Sequence, residues 1–175
     1  MSQYDLSLLA RRRGPDPSRQ PPRPHPLLEL IEVRRLFEPA TAALAAARVT
    51  DTDLADFAAR LEVMAGARDD PVAFAAHDVA FHQAVTSVTR NETLMNLLDA
   101  VSTHTLLAEF PRSILDHDAA EIVLTEHTAI HAALEARDPT LAHAAALLHV
   151  NTTEQWLRRR LANAPFRGLG PCKAR

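Results

Sequence analysis

Cysteine is almost missing from this chain of 175 residues: Cys172 stands alone, so no internal disulfide can form. Glycine is scarce as well, and all four glycines (Gly14, Gly66, Gly168, Gly170) lie outside the strongly periodic segments. Aromatic residues make up only 5%, while 47% of the chain is apolar and dominated by Ala and Leu, a helical composition. No apolar run is long enough for a transmembrane helix or the core of a signal peptide. With a net charge of -3 there is no overall basic field of the kind that holds a protein on nucleic acid or an anionic membrane, so any basic function must be local. These absences predict a soluble cytoplasmic protein with one core, and the length suits a single domain.

Proline and arginine are concentrated at one end. Residues 11 to 26, "RRRGPDPSRQPPRPHP", hold six of the twelve prolines and five arginines against one aspartate. This composition predicts a flexible, solvated arm over residues 1–26, as a leader or linker in preference to a nucleic-acid-binding arm. The stretch 163–175, "NAPFRGLGPCKAR" at its core, reads as an irregular tail.

Between them the periodicity predicts six helices and no strand. The first runs from about Leu27 to Ala47, with Pro39 as a kink because it removes a backbone donor and crowds the preceding turn. The second follows Thr50, an N-cap with Asp53 three residues on, and the third opens on Asp70 and Pro71 and runs to about Thr89. Asn91 caps the fourth, Pro111 breaks the chain, and a fifth covers roughly residues 118 to 137. In "RDPT", Asp138 caps the sixth with Pro139 at its first position. The fold expected is all-α, an antiparallel bundle of about six helices without a sheet.

Several polar residues fall on faces that should be apolar. In the third helix the inward stripe reads Phe74, Asp78, Phe81, Val85, with His82 one turn beyond Asp78. An unpaired carboxylate there would cost several kcal/mol in effective terms, so Asp78 needs an arginine, a set of donors or a cation. The spacing of four stacks Asp78 and His82 on one face, which lets both reach the same ion. The fifth helix places His127 in the stripe Val123, His127, Ile130, Leu134. In the sixth, His149 shares a face with Ala142, Ala145, Ala146 and Thr152, small neighbours that leave room around the imidazole.

A lone histidine on an apolar face more often bonds a carbonyl than a metal. Together with an inward Asp-x-x-x-His pair the balance shifts, and one aspartate with three imidazoles forms a plausible site for a divalent first-row ion. Zinc is the first choice, and Ni, Mn and Fe are chemically admissible. The remaining histidines, His25, His77, His104, His117, His131 and His143, read as arm, loop or outer-face residues. Arg34, in the stripe Leu27, Ile31, Arg34, Phe37 and Glu38, has two readings. Turned inward, it is suited to gripping a carboxylate with two parallel hydrogen bonds; otherwise it forms an i, i+4 ion pair with Glu38 at the surface.

The segments "ELIEVRRLFEPATAALAA", "HDVAFHQAVTSVTRNETL" and "EHTAIHAALEARDPTLAHAAALLHV" resemble the FadR C-terminal domain of GntR-family bacterial transcriptional regulators, the branch called FCD. The resemblance covers about residues 27 to 160, and makes residues 27–162 an FCD-like effector-binding domain. Its markers are Glu32, Arg34 and Glu38, the turn "DVAFH", Asn91, Glu126 with His127, Asp138 and His149. In metal-binding members the positions of Asp78, His82, His127 and His149 supply the ligands, and the inward arginine at Arg34 helps hold a small organic acid whose carboxylate meets the metal. Members are typically homodimers that bind operator DNA and change affinity when the effector enters.

The family also carries an N-terminal winged helix-turn-helix, and the residues before Leu27 show neither a recognition helix nor a wing hairpin. Operator DNA would then be reached only through a winged-helix domain absent from this chain, as the sensor portion of a longer regulator or a stand-alone relative. The function expected is a metal-dependent sensor of a small carboxylate, homodimeric, with no catalysis and no membrane. Two alternatives are a metal-dependent hydrolase or hydratase, for which the sequence offers no convincing general base, and a dimerisation or decoy domain.

Overall fold

The structure, a computed structural model, describes residues 25–106 and 117–163. Most of the expected arm, the break at Pro111 and the tail from residue 164 lie outside the described residues. Six helices follow one another: α1 (Pro26–Ala46), α2 (Asp51–Gly66), α3 (Pro71–Val88), α4 (Glu92–Leu106), α5 (His117–Glu135) and α6 (Pro139–Asn163). Among the described residues there is no strand, and no helix is long and apolar enough to cross a membrane. The all-α reading holds.

The helix ends follow from local chemistry. His25, expected to belong to the arm, is the N-cap of α1, its ring accepting from the Leu27 backbone N–H. Thr50 and Asp53 form a complete capping box at α2, each side chain accepting from the other's backbone N–H. The carboxylates of Asp70 and Asp138 each accept two backbone N–H groups of the turn that follows. Asn91 Oδ1 accepts from Leu94 N at 3.1 Å. Two helix C-termini use arginine in the left-handed region, Arg90 at φ 53° and Arg137 at φ 50°, whereas Gly66 is taken into the last turn of α2. At the second, Asp138 N donates to Ala133 O at 3.2 Å, the long-range bond of a Schellman ending. A non-glycine residue held there costs about 1–2 kcal/mol, which the adjoining cap offsets.

α1 continues through Pro39, at which the sequence suggested a kink. It lies along α6 in the most extensive helix pairing of the bundle, and the two are antiparallel. Leu27 and Ile31 at the start of α1 meet Val150 and Leu157 late in α6, while Ala42, Ala45 and Ala46 meet Ala142 and Ala146 near its beginning. Alanines on both faces allow close approach, which places Arg34 beside His149 in the middle of the pair. Phe57 from α2 and Phe81 from α3 meet edge to face, with centroids 6.1 Å apart, at 1% exposure each. Full burial of a side chain this size contributes about 1.5–3 kcal/mol. Phe81 also stands edge-on to His127, with centroids 4.7 Å apart, so the core wall fixes that ring.

Candidate metal and effector site

Asp78, His82, His127 and His149 come together. One ligand atom from each lies within 4.8 Å of all the others, and Asp78, His127 and His149 are buried below a tenth of their surface. α3 supplies two of the groups, α5 and α6 one each; Asp78, His127 and His149 lie on the inward faces read from the sequence, and His82 lies one turn beyond Asp78.

Hydrogen bonds fix which nitrogen faces inward for His127 and His149. His127 Nδ1 is 2.7 Å from Val123 O, and a carbonyl only accepts, so Nδ1 carries the proton and the Nε2 lone pair faces the cluster. His149 Nδ1 lies 3.0 Å from Glu126 Oε2, which assigns that ring the same tautomer. His149 Nε2 is then a buried acceptor with no hydrogen-bond partner among the described residues. His127 Nε2 is 3.1 Å from His82 Nε2 and 3.2 Å from Asp78 Oδ1. Lone pairs and a carboxylate pointed at one another repel unless a proton or a cation lies between them. This donor set of one carboxylate and three imidazoles, with the outer nitrogens of His127 and His149 already engaged, fits a divalent first-row ion.

The charges agree. Burial opposes ionisation of Asp78, yet its contact with His127 and the fields of the three histidines hold its carboxyl well below the usual range. Burial pushes His82 down to about 3, against the opposing pull of Glu38 and Asp78. His149 is also lowered, chiefly by burial, although Glu126 acts the other way. The site thus presents His82 and His149 as neutral imidazoles with His127 between them and Asp78, one guanidinium (Arg34) and three carboxylates (Glu38, Asp78, Glu126). The two excess negative charges are what a divalent ion balances.

Arg34 and Glu38 realise parts of both sequence readings. They form the i, i+4 pair, with Nε to Oε1 at 2.5 Å and Nη2 to Oε2 at 3.3 Å, but in the interior, at 1% and 6% exposure. The surface version of the pair is therefore wrong. Small residues on α6 let α1 sink far enough to cover both groups. Phe37, placed in the inward stripe, is 38% exposed because Glu38 holds the inner position beside it. Burial would lower the pKa of Arg34, but the charge and hydrogen bonds of Glu38, with the charge of Asp78, raise it; Glu38 is lowered in turn. His82 lies between two carboxylates, with Nδ1 3.8 Å from Glu38 Oε2 and Nε2 3.8 Å from Asp78 Oδ1.

A cavity of about 100 Å³ reaches this cluster from one side, with Arg34, Asp78, Glu126 and His149 at its inner end. The sequence reading takes Glu126 only as a marker beside His127 and gives it no place in the site. Lying about 100° round α5 from His127, Glu126 reaches Nδ1 of His149 across the α5–α6 contact, while His127 meets the same ring within the cluster. The stripe Val123, Glu126, Ile130 carried that signal. His131 stays out of the cluster: its Nε2 lies 3.1 Å from Leu54 O and ties α5 to α2. His143 is exposed and His77 half-buried, whereas the side chains of His104 and His117 lie outside the described residues.

Comparison with known proteins agrees with this geometry. The family model for the FCD domain matches residues 29–152. The galactonate operon transcriptional repressor of Escherichia coli (strain K12) is 33% identical over 136 residues, covering 77% of this chain and 59% of that protein. The HTH-type transcriptional regulator LutR of Bacillus subtilis (strain 168) is 32% identical over 135 residues, covering 74% and 61%. Among solved structures, Streptococcus agalactiae GntR superposes with a TM-score of 0.65 at 26% identity, over 74% of this chain and 58% of that one. The chain thus spans about three-fifths of the length of the curated relatives it matches. Six helices in this order, the family match and these relatives together place the chain in the FCD family, the FadR C-terminal domains of GntR-type transcriptional regulators.

Proposed function

We propose that this domain senses a small carboxylate through one divalent transition metal, as the effector-binding part of a transcriptional regulator. Asp78, His82, His127 and His149 would hold the ion, zinc first and nickel, manganese or iron as alternatives. The observation that carries the reading is His149 Nε2, buried without a partner and oriented by Glu126 toward the other ligands. Bound there, the ion would supply a Lewis-acidic position for an effector carboxylate. Arg34 keeps N–H groups beyond the two used by Glu38 and borders the same cavity, so it would hold the second oxygen.

The charge balance makes metal and effector interdependent. Without the ion the inner end of the cavity carries excess negative charge and repels an anion; with it, the carboxylate meets a neutral or positive surface. α1, α3, α5 and α6 all border the cavity, so an occupant would favour one packing of these helices over another. Operator DNA would be contacted by a separate domain. Pairing with a second copy is supported by Leu36 and Leu44 on α1 and Leu141 and Leu148 on the adjacent α6, all exposed. The relatives are transcriptional regulators rather than enzymes, and Glu126, the acid nearest the cluster apart from Asp78 and Glu38, is engaged by His149 rather than placed as a general base.

Elemental mass spectrometry on protein purified without chelators tests the reading, beside the variants His127→Ala and His149→Ala. About one ion per chain is expected, with loss in both variants. A parent protein that takes up no metal after reconstitution with zinc, nickel or manganese refutes it.

A further inference from the structure

The cavity is sorted by polarity along its length. On α5 the residues facing it are spaced i, i+3, i+4, i+7: Ala119, Ile122, Val123 and Glu126. On α6 the same spacing gives His149, Thr152, Thr153 and Trp156. The polar members, Glu126 and His149, sit side by side at the inner end with Arg34 and Asp78. From there Glu126 to Ala119 and His149 to Trp156 each cover seven residues, roughly 10 Å of helix rise. Over that distance the walls are Phe74, Ile122, Val123 and Trp156, and beyond Trp156 the exposed Arg159 stands at the outer rim. The Thr153 hydroxyl is already donated to His149 O at 3.0 Å, so Thr152 is the hydroxyl left among these described lining residues.

We infer that the effector is a monocarboxylate with a hydrocarbon body, its carboxylate at the Arg34 end and its chain or ring between Phe74, Ile122, Val123 and Trp156, and not a polyhydroxy acid. The inference rests on the sensor reading above and narrows it to a ligand class. Its reason is desolvation. Hydroxyls of a sugar acid brought against Phe74, Ile122 and Val123 give up their water and find no donor or acceptor on those side chains in return, whereas a methylene gains from the same transfer.

Hexanoate and gluconate make a controlled pair, with six carbons and one carboxylate each and differing in five hydroxyls. Trp156 is the chain's single tryptophan, so a change in intrinsic fluorescence reports occupancy beside it. Zinc-loaded protein titrated with the two acids is expected to bind hexanoate at least about tenfold more tightly. Ile122→Ala, at a half-exposed position whose truncation spares the core, is expected to weaken hexanoate by about threefold or more. Trp156→Phe should retain most of the affinity, read by calorimetry, while losing the optical signal. Gluconate binding as tightly as hexanoate, or hexanoate affinity unmoved by Ile122→Ala, overturns the hydrocarbon assignment and leaves the sensor reading standing. If neither acid nor any of a panel of aliphatic, aromatic and hydroxylated carboxylates binds the zinc-loaded protein, both fall.

Discussion

Replacing Glu126 by alanine removes the acceptor that orients His149. The bond is 3.0 Å long between side chains exposed by only 3% and 11%, so water cannot readily take its place. A buried hydrogen bond to a charged group contributes about 1.5–3 kcal/mol. Part of this is spent in holding the tautomer with Nε2 free for a metal, and loss of such a partner typically lowers metal affinity about 10–100-fold. That is about 1.4–2.7 kcal/mol of binding free energy. The metal-free protein should weaken too, by about 1–3 kcal/mol, because the Nδ1–H is left buried and unpaired. Competition with a chromogenic zinc chelator separates the two effects, provided circular dichroism shows the variant still folded. Glu126→Gln, whose amide oxygen accepts the same bond without the charge, should recover most of the affinity. A zinc affinity for Glu126→Ala within about threefold of the parent would falsify the claim that Glu126 positions His149.

Two other outcomes follow from the buried charges. The metal-free protein should lose stability on acidification, because unfolded imidazoles titrate near 6.5 whereas folded His82 is pushed down to about 3 and His149 is lowered in the same direction. Below the unfolded value the unfolded chain binds protons that the folded chain does not. The contribution is therefore complete above about pH 6.5 and declines by about 1.4 kcal/mol per pH unit for each such histidine as pH falls toward the folded values. Asp78 and Glu38, held low, add their losses only in the more acidic range below the ordinary carboxylate values. Urea denaturation at pH 8, 6.5 and 5.5 should show a plateau followed by a fall, and a flat profile contradicts the neutral, buried imidazoles. Arg34→Met leaves the Glu38 carboxylate buried without its guanidinium and should cost about 3–5 kcal/mol. Adding Glu38→Leu should restore most of that loss while abolishing any response to carboxylates, and a double variant no more stable than the single would show that the pair does not act as a unit.

The parts legible in the sequence were those set by near neighbours along the chain. Capping at Thr50, Asp70, Asn91 and Asp138 depends on residues two or three positions away, and all four caps are in place. The same holds for the stripes that turn Asp78, His127 and His149 inward, since a 3.6-residue period is intrinsic to a helix. What stayed hidden depends on which helices touch. Glu126 looks like the solvated neighbour of a ligand until α6 is laid against α5. The pairing of Arg34 with Glu38 was readable from their spacing, but its depth depends on how closely the alanines of α1 and α6 approach. His25 shows a different limit, since its role as a cap depends on α1 beginning directly after a proline-rich stretch.

The two best-oriented imidazoles owe their orientation to different things. His127 leans on the carbonyl of Val123 in its own helix, so α5 presents that nitrogen whether or not the rest of the bundle has formed. His149 leans on Glu126 across a helix contact, so it is presented only once α6 has docked. An ion held there would sit among side chains of Asp78, His82, His127 and His149 that keep 9%, 12%, 0% and 3% of their exposure, approached from the cavity that Asp78 and His149 line. Lifting of α6 would then take away one ligand in four and leave the other three in place on α3 and α5.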